Sequence, residues 1–68
     1  MRRKLRKQLA EFLKKTRGEM TFAQFEKKMG ISASSLHRIE ICYQNVTLDM
    51  LETITARLKV SVSEIFRE

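Results

Sequence analysis

Thr21 and Ser32 stand eleven residues apart, each placed to open a helix, and Gly30 lies between them. In Thr21-Phe22-Ala23-Gln24 the Thr hydroxyl and the Gln side chain are spaced to satisfy each other's backbone N–H groups, the reciprocal capping box. Gly30 follows where a residue with positive φ stops a helix at little steric cost. Ser32 then offers an oxygen to cap a new helix. One continuous helix is thereby excluded, and the spacing predicts two short helices joined by a tight glycine turn. Phe22, Phe25 and Met29 supply the apolar face of the first, and Leu36 and Ile39, with Ile31 ahead of them, that of the second.

The flanks carry further helix signals. Leu5, Leu9, Phe12 and Leu13 share one stripe of a 3.6-residue period, which predicts a helix over residues 4–17, ended by Gly18. Thr47 is spaced to cap a helix whose buried face is Leu48, Leu51, Ile54 and Leu58, and Ser61-Val62-Ser63-Glu64 is a second capping box ahead of Ile65 and Phe66. There is no Pro and no alternating apolar run of strand length. The expected fold is all-α, a compact bundle of five short helices in a single domain over residues 1–68. Phe12, Phe22, Phe25 and Phe66 are read most simply as core.

The formal charge of +6 and pI near 10.0 make a polyanionic partner the first expectation. That charge is unevenly placed. Residues 1–17 hold Arg2, Arg3, Lys4, Arg6, Lys7, Lys14, Lys15 and Arg17 against Glu11 alone, whereas the remainder is nearly balanced. Arg2, Arg3 and Lys4 put positive charge at a helix end whose dipole is already positive, unfavourable by a few tenths of a kcal/mol each. The basic segment 2–7 is therefore read as an arm on a DNA backbone, flexible over residues 1–4, with a membrane-surface or partner-binding amphipathic helix or a solvated, solubilising face as the competing readings.

A single Cys42 and a single His37 supply neither a disulfide nor a zinc set, and no apolar run approaches a membrane span. The expectation is a soluble, cytoplasmic protein of a reducing compartment, without metal or cofactor. Paired carboxylates, a nucleophile with its base and a phosphate-binding glycine loop are all missing from the sequence, so enzymatic activity is not expected, nor is a small-molecule ligand evident.

The run TFAQFEKKMGISASSLHRIE has the layout by which a second helix is held proud of a domain with small or hydrogen-bonding residues outward. From about residue 5 to residue 66 the chain resembles the phage-repressor type of helix-turn-helix domain, also called the Cro or XRE type. The resemblance rests on Thr21, Phe25, Met29-Gly30-Ile31-Ser32, Ser35-Leu36-His37-Arg38-Ile39-Glu40, Leu48, Leu51 and Val60-Ser61-Val62-Ser63-Glu64-Ile65-Phe66. It implies a lambda-repressor-like fold and double-stranded DNA as partner, and because a half-site with so few basic contacts is weak alone, a homodimer is expected. Ala33, Ser34, Arg38 and His37 then stand where base edges are reached, and Ser35 beside them is expected as a further base contact. Thr21, Tyr43, Gln44 and Asn45 stand where phosphates are held, and Arg2 and Arg3 of the basic segment, Gln24 and the cap residue Ser32 are expected as further phosphate contacts. Glu40 corresponds to a glutamate that pairs with a basic residue of the first helix, here expected to be Lys14.

Departures from the family pattern are specific. Phe22 replaces a phosphate-contacting Gln, a contact that Gln24 is expected to assume if it is kept. Glu26 stands where a small Ala is usual, so the helix crossing widens or the carboxylate bends to solvent. Cys42 and Lys59 occupy positions often held by left-handed Gly, and Ile41 replaces a common Arg. Arg38 is read as a base reader, a phosphate contact or a solvated cation, and Ser34 and Ser35 as DNA contacts or merely cap-compatible residues. His37 is read as surface filler or a DNA contact. The expected activity is sequence-specific DNA-binding transcription regulation, repressor-like, by a helix starting at Ser32. The competing one is an antitoxin- or adaptor-like protein-interaction module on the same scaffold. A dimer surface is expected after Leu51, where Met50, Ile65 and Phe66 leave apolar area exposed.

Overall fold

The computed structural model describes residues 3–41 and 46–66, and of Arg3 only the backbone. Among the described residues the chain forms five α-helices and no strand: α1 Arg3–Arg17, α2 Phe22–Met29, α3 Ala33–Glu40, α4 Leu48–Leu58 and α5 Val62–Ile65. Arg2, Cys42, Tyr43, Gln44 and Asn45, all singled out above, lie outside the described residues. No described helix is long and apolar enough to cross a membrane.

Each of α2, α3, α4 and α5 begins where the sequence supplies a cap. Thr21 Oγ1 accepts from Gln24 N–H at 3.1 Å while the Thr21 N–H donates to Gln24 Oε1 at 2.9 Å, completing the capping box of α2. Ser32 Oγ accepts from Ser35 N–H at the start of α3, and Thr47 Oγ1 from Met50 N–H at the start of α4. At α5 the Ser61 N–H donates to Glu64 Oε2 at 2.6 Å.

Helix ends follow a complementary rule. The N–H groups of Gly18 and Gly30 return to carbonyls four residues back, and both residues lie at positive φ, 56° and 69°. A Cβ at Gly30 would come 2.8 Å from Arg57 Nη2, the far end of an exposed side chain that can shift, so the positive φ is what the position requires. α4 ends differently: Lys59 N–H reaches Ala56 C=O and Val60 N–H reaches Thr55 C=O, the paired bonds of a Schellman ending, with Lys59 at φ 55°. This is the left-handed position expected for Lys59, here carried by a residue with a Cβ at a cost of about 1 kcal/mol.

One core joins all five helices. Leu9 and Leu13 of α1, Phe25 and Met29 of α2, Ile31 of the turn, Leu36 and Ile39 of α3, Ile54 of α4 and Ile65 of α5 form a single buried cluster. α1 packs against α3 and α5, and α2 against α3 and α4. Of the four phenylalanines only Phe25 is fully buried, while Phe12, Phe22 and Phe66 pack against the cluster from its edge.

Three sequence expectations need correction. The first concerns the basic arm: α1 starts at Arg3, so residues 3 and 4 belong to the helix. Docking of the Leu9 and Leu13 face outweighs a dipole penalty of a few tenths of a kcal/mol per charge. The second concerns Leu48, which is 79% exposed. Successive steps of three residues each fall about 60° short of a full turn, so Leu48 has drifted about 120° from Ile54 and off the buried face. The third concerns Ile65, only 5% exposed, which contributes no free apolar area to a dimer surface, although Met50 and Phe66 remain half-buried.

Candidate nucleic-acid interface

The outer side of α3 follows from its period. Leu36, Ile39 and Glu40 turn inward and are buried, leaving Ser34, His37, Arg38 and Ile41 exposed within an arc of about 100°. Ala33 and Ser35 flank this arc and are half-buried. Three of the five expected base-contacting residues thus share one solvent-facing stripe, and two stand at its margin.

Thr21, Gln24 and Ser32 are exposed, and each side-chain oxygen is engaged in a cap. Capping uses an acceptor lone pair, whereas a phosphate needs a donor. The hydroxyl protons of Thr21 and Ser32 and the amide nitrogen of Gln24 are therefore compatible with both tasks at once. Of the remaining expected phosphate contacts, Arg2, Tyr43, Gln44, Asn45 and the Arg3 side chain lie outside the described residues.

Besides its core residues, a salt bridge ties α3 to α1, with a different partner from the one expected. Arg17, not Lys14, meets Glu40: Nε donates to Oε2 at 2.8 Å and Nη2 to Oε1 at 3.1 Å. Arg17 stands one turn beyond Leu13 and about 40° round from it, whereas Lys14 lies about 100° round from Leu13 and is exposed. The guanidinium fork also matches a carboxylate with two bonds, which an ammonium does not. Its Nη1 donates to the Met20 carbonyl at 2.8 Å, tying α1 to the loop before α2. Hydrogen bonding to Glu40 raises the Arg17 pKa above its ordinary value, burial opposing and the Glu40 charge adding to it. The contribution of a raised cation is complete below the ordinary Arg range and disappears only above it, so this link is insensitive to pH near neutrality.

Phe22 takes a role in the same corner. The Arg17 guanidinium carbon lies 4.2 Å from the Phe22 ring centroid, and His37 meets that ring edge-on with centroids 5.3 Å apart at 88°. Phe22 thus joins the end of α1, the start of α2 and the middle of α3. His37 is accordingly part of a ring pair as well as of the exposed stripe.

Glu26 bends back to the tip of α3, where its Oε1 accepts from Ala33 N–H at 2.8 Å. It thereby satisfies one of the free donors of that helix start and places negative charge at the positive end of the dipole. A phosphate seeking the same N–H has to displace a carboxylate. The sequence offered Glu26 as an unusual residue but could not reveal this bond, which depends on the angle between α2 and α3.

Charge and shape are separated on this molecule. The exposed residues of α1 include Lys4, Lys7, Lys14 and Lys15 against Glu11, while among the other described residues five exposed acids balance five exposed bases. Arg38 is the cation of the α3 stripe. No protein-family model matches the chain, and neither a curated protein nor a solved structure does.

Proposed function

We propose that this chain is a sequence-specific DNA-binding transcription regulator that inserts α3 into the major groove. The observation carrying the reading is the uncovered stripe of Ser34, His37 and Arg38 on a short helix whose back is locked to the core through Leu36, Ile39 and the Arg17–Glu40 pair. A guanidinium recognises guanine through N7 and O6 at about 1–3 kcal/mol of discrimination, and a Ser hydroxyl adapts to donors or acceptors nearby. Thr21, Gln24 and Ser32 lie where α2 and α3 begin and supply donors to phosphates.

One guanidinium and a few hydroxyls make a weak half-site. The active form is accordingly a two-fold dimer on a pseudo-palindrome, with half-sites about one helical turn apart. Selection of bound duplexes from a random pool tests the proposal: a recurring, two-fold motif is expected, and a pool with no enriched sequence overturns it.

A second reading, an interaction module that binds a protein, is favoured by two features. The Glu26 carboxylate at the tip of α3 and the balanced charge beyond α1 are unlike a surface built only for phosphates. An unenriched pool together with tight, salt-tolerant binding of a protein partner would select this alternative.

A further inference from the structure

The exposed face of α1 is more regular than a solubilising surface requires. Lys4, Lys7, Glu11, Lys14 and Lys15 fall within an arc of about 100°, centred roughly 160° from Leu9 and Leu13. The stripe runs for about 16 Å along the helix. Because Leu9 and Leu13 are packed in the core and α1 rests on α3, the lysines point away from α3. They also hold the net positive charge of the described exposed surface, since the acids and bases elsewhere balance.

We infer that this stripe is a sequence-independent binding surface for the sugar-phosphate backbone of a nucleic-acid duplex, separate from the α3 stripe. Point charges on flexible stems suffice for phosphates, and their attraction comes from counterion release. A bilayer does not fit, because the apolar side of α1 that would enter it is occupied by the protein core. A protein partner fits less well, because the stripe has no exposed aromatic or aliphatic anchor of the kind that dominates protein interfaces. Glu11 in its middle separates two lysine pairs, one at each end of the stripe. The surface stands whether or not α3 reads bases, and it engages a different stretch of nucleic acid from one held at α3.

The test uses a labelled 20-base-pair duplex of arbitrary sequence and anisotropy titrations across a salt series, with the full chain and two variants. In one, Lys4, Lys7, Lys14 and Lys15 are all changed to Gln, a residue that keeps helix propensity at exposed sites, and circular dichroism verifies that it remains folded. The other is Arg38→Ala. Removing the lysines is expected to flatten the slope of log affinity against log salt by about three units and to weaken binding on the order of 10- to 100-fold at low salt, whereas Arg38→Ala changes the slope by about one unit or less. An unchanged slope in the folded four-lysine variant overturns the inference. So does an Arg38→Ala loss as large as that of the lysines, which would place nonspecific binding at α3. Equal affinity of the wild-type chain for poly-glutamate and for the duplex would assign the stripe to acidic proteins instead. Failure of the α3 reading appears separately, as a random pool without enrichment while this salt dependence persists.

Discussion

α1 and α3 pack on each other and share a core, yet their solvent faces are opposite in kind. The α1 face is charge without shape: four lysines on a regular stripe, on a helix fifteen residues long. The α3 face is shape with little charge: Ser34, His37, Arg38 and Ile41 on a helix of eight residues, fixed from behind and from the side. Phosphates attract through charge and bases discriminate through placed donors and acceptors, so the proposed function puts affinity and specificity on different helices. In a chain whose net charge is +6, the net charge therefore says little about which surface reads sequence.

The most damaging way to break the comparison is to remove what the two faces share. Leu36 is fully buried in the common cluster, and Leu36→Ala should lower stability by about 2–5 kcal/mol and abolish binding through both faces together. Urea unfolding followed by circular dichroism measures it, and retention of normal stability would mean that the α3 back face is not packed as described. Loss of the α1–α3 link is next. Glu40→Gln should cost about 1–3 kcal/mol, and Arg17→Ala more than that, because it strands a carboxylate that is only 5% exposed. Lys14→Ala, the pairing expected from sequence, should leave stability nearly unchanged.

Arg38→Ala sharpens the contrast at the surface. It should weaken a selected duplex by about 1–3 kcal/mol and relax base choice, with unfolding unaffected, whereas Lys7→Ala should weaken all duplexes alike. Competition binding with single-base variants of the selected site separates the two patterns. Glu26→Ala removes the acceptor of the Ala33 N–H and should cost about 0.5–1 kcal/mol of stability. It should at the same time raise affinity for duplexes of any sequence, because a phosphate no longer competes with a carboxylate at that helix end. A control outside both stripes has an effect of similar size: Lys59→Gly should gain about 0.5–1 kcal/mol by relieving the left-handed backbone at φ 55°, and should leave DNA binding untouched.

These features differ in how far the sequence alone reveals them. Thr21, Ser32 and Thr47 were legible as caps because a cap is a local bond spanning three residues. The exposed stripe of α3 was legible because Leu36 and Ile39 fix the helix phase. Leu48 was misread because three-residue spacings drift off a 3.6-residue period, an error that grows with each step. The Arg17–Glu40 pair spans 23 positions, and choosing Arg17 over Lys14 needed the orientation of α1 on α3. The Phe22–His37 ring pair and the Glu26 bond to Ala33 likewise depend on how α2 meets α3, which no local pattern encodes.

Backbone amide shifts recorded while a selected duplex is titrated into the folded chain test most directly whether α3 is the reading face. The expected result is saturable shifts concentrated at Ser34, His37 and Arg38 and at the starts of α2 and α3, persisting at a salt concentration where shifts along α1 have faded. Shifts confined to α1, vanishing everywhere as salt rises, would contradict it.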